Sequence, residues 1–346
     1  MIPIEAVLLS FLLIAAVAVC VMRRLLASII IFTSYGIVMS VLWILLAAPD
    51  LAIAEAAVGT GISGVLFFVV LKRIQVMEKE HREEEGRRRR LGWKTGGRHV
   101  PRYSYNIFSI VACLSFTCVL LFTTSRLPPF GNPGNPTNNE VPERYIERGV
   151  QETGAVNAVA SMILDYRAFD TFGETCLLFA AVCAILVLLR HDIPIGIYDV
   201  FLHEMEEPRQ NIILKNMAFF LVAMIMIFGF YVILNGHLSP GGGFSGGAIL
   251  GAGMALFAFA FGSASVRRFL SFKTFSVCTC AALLFYALAK GWAFFMGASG
   301  LSTGIPAGIP GNIFSGGLIL PLNICVGIIV AFTVYALYAL FSEGEV

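Results

Sequence analysis

Long apolar runs alternate with short polar breaks along the whole chain. About 20 apolar residues suffice to cross a bilayer as a helix. Nine such runs occur, at 2–22, 25–47, 51–71, 105–124, 171–190, 212–234, 244–264, 274–296 and 313–341. They predict an all-α polytopic membrane protein, because a helix satisfies its own backbone polar groups within one segment. The first run opens MIPIEAVLLS, with no basic stretch and no small-residue cleavage site, and reads as a retained helix. Between 152 and 167, Val156, Val159, Ile163 and Tyr166 recur at helical spacing, which predicts an amphipathic helix on the outer surface.

Composition points the same way. Hydrophobic residues make up 58% and charged residues 13% of the 346, against about 25% charged in a soluble domain. Too few charges remain to cover a water-facing surface. The eight cysteines form no C-x-x-C pair and have no His at ligand spacing. They read as small hydrophobes, so neither a metal site nor a redox cofactor is expected on this chain.

The placement of Lys and Arg orients the spans. With the N-terminus outside and the C-terminus cytoplasmic, the inner segments hold 19 of the 24 basic residues, counting Lys215. The outer segments hold Arg126, Arg144, Arg148 and Arg167, and Lys290 lies within the eighth run.

Two hydrophilic segments divide the chain. A three-helix block covers 1–75. A cytoplasmic charged linker, 76–104, contains KEHREEEGRRRR, where Glu83–Arg87, Glu84–Arg88 and Glu85–Arg89 at i,i+4 spacing suit a solvated helix. Its arginines suit the anionic lipid surface and do not imply nucleic acid. A two-helix block follows at 105–190, with the Pro-, Gly- and Asn-rich stretch 125–150 ahead of the amphipathic segment. A second cytoplasmic linker covers 191–211, and a four-helix block 212–346.

Ionisable groups inside the spans carry the functional information, since each costs at least about 2.5–3.5 kcal/mol to insert. Asp50, after Pro49, is placed as the N-cap of the third helix and also counts among the candidate ion-translocation residues at its outer mouth. Glu55 lies roughly 7 Å further along the axis, beyond any capping role. It fits either a hydrogen bond to a neighbouring helix or an ion or proton relay. Gly59, Gly61 and Gly64 weaken the helix just beyond it, which suits close packing and equally a π-bulge or local unwinding. Thr171-x-x-Glu174 fits a capping box, with Asp170 as the competing cap. A relay role for Asp170 and Glu174 is compatible with either. Gly243, Gly247 and Gly251 form a GxxxGxxxG close-packing stripe. His237, in NGHLSPGGGF, is structural or carries protons at an outer mouth. Lys290 either snorkels to the interface or pairs with a carboxylate on an ion path. No nucleotide loop, haem pair or hydrolytic triad is present, so the chain is not expected to be an enzyme by itself.

These residues carry a resemblance. PDLAIAEAAVGTGISGVLFFVVLKR (49–73) resembles the D subunit of membrane-bound hydrogenases and the C-terminal part of the large Mrp antiporter subunit. NAVASMILDYRAFDTFGETCLLFAAVCAILVLLR (157–190) is similar to the hydrogenase's E subunit, and NGHLSPGGGFSGGAILGAG (235–253) to the B-type subunit of the antiporter, called F in the hydrogenase. The resemblance implies one polypeptide fusing three subunits, in a complex related to respiratory complex I. The first two blocks look like the J chain of complex I, which puts Gly59, Gly61 and Gly64 at a π-bulge and makes Glu55 and Glu174 relay carboxylates. The implied function is a non-catalytic membrane subunit of a sodium/proton-translocating module, in a prokaryotic inner membrane. Implied partners are antiporter-like membrane subunits, the lipid bilayer and a hydrogenase-like peripheral arm that holds the metal clusters, with sodium as a transported ion. A stand-alone Mrp-type antiporter and a non-conducting scaffold remain as alternatives.

Overall fold

The computed structural model describes residues 4–75, 102–129, 131–191, 212–262 and 270–343, with Ser265, Val266 and Arg268. Most of both linkers, including the Glu83–Arg87 to Glu85–Arg89 pairs, lies outside the described residues. The described residues are helical, with no strand among them. Nine of their helices are long and apolar enough to cross a membrane.

The long helices are α1 (Ile4–Val21), α2 (Leu25–Leu45), α3 (Pro49–Gln75), α4 (Arg102–Ser125), α8 (Ala168–His191), α9 (Ile212–Leu234), α10 (Gly243–Phe261), α11 (Phe272–Ala298) and α12 (Ile319–Glu343). Short helices α5 (Glu140–Glu147), α6 (Gly149–Thr153) and α7 (Ala158–Ser161) lie between α4 and α8. The last long helix starts six residues later than the apolar run at 313 suggests, because Gly316 and Gly317 take left-handed backbone (φ +83° and +52°) just before it.

The chain forms two compact units, 76–144 and the remainder. In the smaller one, Asn side chains close the turns after α4: Asn132 Oδ1 accepts from the Gly134 amide at 3.0 Å, and Asn135 Nδ2 donates to the Pro129 carbonyl at 2.8 Å.

The centre of the larger unit is α10 against α12. Lipid tails are as apolar as leucine, so helices in a membrane associate through close packing of small residues rather than through hydrophobic burial. Glycine supplies that packing here. A methyl group at Gly247 would stand 2.6 Å from the Gly327 carbonyl oxygen, and one at Gly251 2.6 Å from Val334. Gly243 lies against Asn323 and Val326, so the whole Gly243, Gly247, Gly251 stripe faces α12. Gly246 and Gly253 occupy another face of α10 and meet Ile233 and Ile225 of α9.

The segment at 152–167 corrects the single amphipathic helix expected there. Gly154 takes left-handed backbone (φ +75°) and ends α6, and Asn157 restarts the chain as the N-cap of α7. The buried positions are Thr153, Gly154, Ala155, Ala160, Ser161 and Leu164, while Val156, Val159 and Ile163 are exposed. From Met162 to Tyr166 the chain is π-helical.

Candidate functional site

Within α3, Glu55–Ile62 is π-helical. The Ser63 amide bonds back to the Val58 carbonyl, five residues away, and the Ser63 hydroxyl donates to the same oxygen at 2.8 Å. Glycine makes the wide turn possible in two ways. The Glu55 carboxylate lies over Gly59, in space that any Cβ there would occupy, and Gly61 would bring a methyl 3.3 Å from the Ala56 carbonyl. Gly64 packs against Thr33 of α2, and Gly36 of α2 receives Thr60. Glu55 is partly buried, and its backbone amide bonds to the Leu51 and Ala52 carbonyls. Asp50 is the second residue of α3, not its N-cap; Ala48 holds that position, and Pro49 fills the first turn, where its missing amide hydrogen costs nothing.

The Asp50 carboxylate instead joins three parts of the chain. Its Oδ1 accepts from the Gly241 amide at 2.9 Å and from Asn157 Nδ2 at 3.1 Å. Asn157 Nδ2 also lies within 3.1 Å of the Gly236 carbonyl and 3.0 Å of the Ser239 carbonyl, so its two hydrogens are shared among three acceptors. The amides of Val156 and Asn157 both donate to the His237 carbonyl at 3.0 Å. The loop makes this approach with Gly241 and Gly242 at φ +124° and +138°, conformations open to glycine. At the other end of α3, Arg73 Nη1 donates to the carbonyls of Leu340 (2.9 Å) and Phe341 (3.3 Å), two of the orphan acceptors at the end of α12. The π-helical segment is therefore held between two anchors.

Lys290 is buried in α11 and pairs with Asp165, which is partly exposed. Asp165 is a residue that sequence reasoning missed. It lies in the π-helical turn of 162–166, closed by the Arg167 amide on the Met162 carbonyl at 2.8 Å. The wide turn frees the Ile163 carbonyl, which accepts the Thr171 hydroxyl at 2.7 Å. Thr171 is thus engaged away from Glu174, and α8 already begins at Ala168, so the expected capping box does not form. Asp170 does not cap either; it makes an exposed ion pair with Arg167, 2.7 Å from Nε. Glu174, one turn on, is exposed. Tyr286, one turn before Lys290, is fully buried, donates to the Ala168 carbonyl at 2.9 Å and stacks on Phe172. Ile62, Leu164 and Tyr286 belong to one buried cluster, so the π-helical segment of α3, that of 162–166 and the Lys290 helix share a core.

His237 is fully buried rather than open at a mouth. Its Nε2 lies 3.4 Å from the Asn312 carbonyl. Groups of three or more His, Cys, Asp or Glu placed to hold a metal do not occur among the described residues.

Nine helices long and apolar enough to cross a bilayer among the described residues define a multi-pass membrane protein. Three family models match it in succession: the D subunit of MBH over residues 10–76, the E subunit of MBH over 132–196, and a domain related to the MnhB subunit of the Na+/H+ antiporter over 213–336. The chain is a fusion of the Mrp/MBH type, combining D-, E- and F-like parts in one polypeptide. A probable K+/H+ antiporter A/B subunit of Rhizobium meliloti is 23% identical over 256 residues, covering 67% of this chain and 23% of its own. An uncharacterised protein of Methanocaldococcus jannaschii is 34% identical over 119 residues (32% and 45%), and the B subunit of the Na+/H+ antiporter of Bacillus subtilis 35% over 65 residues (19% and 46%). The matched region spans less than half the length of each of these relatives. Among solved structures, a chain of the Mrp complex from Dietzia has the same fold (TM-score 0.68, 21% identity, 98% of this chain and 34% of that one). A chain of the archaeal membrane-bound sulfane sulfur reductase matches with TM-score 0.51 and 27% identity, over 67% of this chain and 96% of that one.

Proposed function

We propose that this chain is a non-catalytic membrane subunit of a module that translocates sodium ions or protons across a prokaryotic cell membrane, with its N-terminus outside and its C-terminus in the cytoplasm. The observation that carries the proposal is the Lys290–Asp165 pair. A lysine about 12 Å from the end of its helix, at 1.5 Å per residue, is a costly group to hold in a span, and here it meets a carboxylate beside a π-helical turn. Glu55, on the other π-helical segment, and Glu174 supply further carboxylates for an ion route, and the buried His237 a protonatable group. Asp50 acts as the joint between blocks, and Asp170 as a rim charge.

Driving one charge against 100 mV takes about 2.3 kcal/mol. The relatives named as antiporter subunits and the likeness to a respiratory membrane complex support a place among antiporter-like partner subunits. The proposed neighbour of that module is a hydrogenase-like redox arm that would hold the metal clusters. No cofactor is assigned to this chain. The π-helical segment of α3, anchored at both ends, is the element through which a partner's conformational change would reach Glu55.

Sodium and proton transport by membrane vesicles carrying Glu55→Gln or Lys290→Met tests the reading. Transport should fall at least about tenfold, some 1.4 kcal/mol in barrier, with the complex still assembled. Wild-type transport in both variants would leave a scaffold role, which the glycine packing of α10 against α12 favours. A stand-alone antiporter, favoured by the antiporter relatives, is separated from a redox-driven pump by metal analysis of the complex purified through this chain: iron or nickel with cluster-bearing proteins marks the pump.

A further inference from the structure

Three buried polar groups surround the turn at Gly236–His237 and have no hydrogen-bond partner among the described residues: His237 Nδ1, Ser315 Oγ and Asn323 Nδ2. Their residues are all at least nine-tenths buried. Asn323 lies against the turn, since a methyl at Gly236 would stand 2.9 Å from its Nδ2. Ser315 precedes Gly316, where a methyl would stand 3.6 Å from His237 Cβ. Three orphaned groups on residues packed around one turn are unusual, because most buried polar side-chain atoms are bonded to protein or to ordered water.

Their chemistry narrows the ligand. Asn323 Oδ1 accepts from the Gly243 amide at 2.9 Å, which fixes the amide orientation and leaves two N–H donors. His237 Nε2 faces a carbonyl, an acceptor only, so that nitrogen carries the hydrogen and Nδ1 presents a lone pair. Ser315 can donate or accept. A bare cation would meet the amide hydrogens, and an anion would meet the imidazole lone pair. Water suits all three, and a buried water typically makes about three hydrogen bonds.

We propose that water is bound in the interior beneath the His237 turn, held by His237 Nδ1, Ser315 Oγ and Asn323 Nδ2. This site gives a histidine that is closed off from the surface a partner for proton exchange. It stands whether or not the chain conducts ions, so its test is separate from that of transport.

Radiolytic hydroxyl labelling read by mass spectrometry tests it, because bound water generates radicals beside groups that bulk solvent does not reach. The full chain is labelled in its purified membrane complex, and rates are normalised for intrinsic side-chain reactivity. His237 should be oxidised about five times faster than Tyr335 and Phe275, which are as deeply buried but lie among apolar side chains. Labelling no faster than those two aromatics would mean a dry turn and overturn the proposal. Ser315→Ala removes a hydroxyl that bonds to no described protein group, so the fold should persist while His237 labelling falls about threefold. Unchanged labelling in that variant would take Ser315 out of the site and overturn the assignment of the three ligands.

Discussion

Lys290 and Asp165, 125 residues apart in sequence, form an ion pair in which the lysine is buried and the aspartate is partly exposed. The pairing depends on backbone as much as on charge, because Asp165 is presented by a π-helical turn and not by the regular helix around it. Removing one partner leaves the other charge unmatched. Asp165→Asn should therefore lower the thermal stability of the purified complex, and Asp165→Asn with Lys290→Met should recover part of it, since the second change removes the buried charge left without its partner. Transport should stay low in the double variant. A double variant as unstable as Asp165→Asn would show that the pair does not act as a unit.

Gly59 leaves open the space that the Glu55 carboxylate occupies. Gly59→Ala should displace the Glu55 carboxylate and reduce ion transport several-fold. Gly173→Ala and Gly291→Ala serve as controls: their added methyl groups meet nothing within 4 Å, and each should be neutral or stabilising by up to about 1 kcal/mol. Equal transport in all three variants would separate Gly59 from Glu55.

Asp50 offers a test of the joint. Asp50→Ala removes an acceptor shared by the Gly241 amide and Asn157, and should cost about 1.5–3 kcal/mol, the range for a bond to a charged group. Asp50→Asn keeps an oxygen in place and should retain more than half of that stability. The measurement is the melting temperature of the complex, and an Asn variant as weak as the Ala variant would point to charge rather than geometry.

The contact of α10 with α12 should be intolerant of size. Gly247→Leu would drive a side chain into the Gly327 backbone, which cannot retreat as a flexible side chain would. Loss of the assembled complex from membranes is expected, with Gly297→Ala, a helical position whose methyl meets nothing within 4 Å, as a control.

The sequence alone determined the class of this protein, because the length and apolarity of a spanning helix are properties of a single segment. Its nine runs correspond to nine helices among the described residues. The GxxxGxxxG stripe showed a packing face for a similar reason: residues four apart share one side of a helix wherever the partner lies. The glycines near Glu55 allowed a π-bulge, but only the fold shows one, with the Ser63 amide and hydroxyl both donating to the Val58 carbonyl. The expected cap at Asp50 and capping box at Thr171 fail for a related reason. Local hydrogen bonds compete with distant ones, and here Gly241 and Ile163 prevail. Asp165 was hidden because its segment reads as an outer amphipathic helix; the one available signal was a lysine in a span, which needs a carboxylate from somewhere. Which carboxylate, and how Asn157 and the His237 loop close over it all, depends on contacts between residues far apart in the chain, and those exist only once the helices have packed.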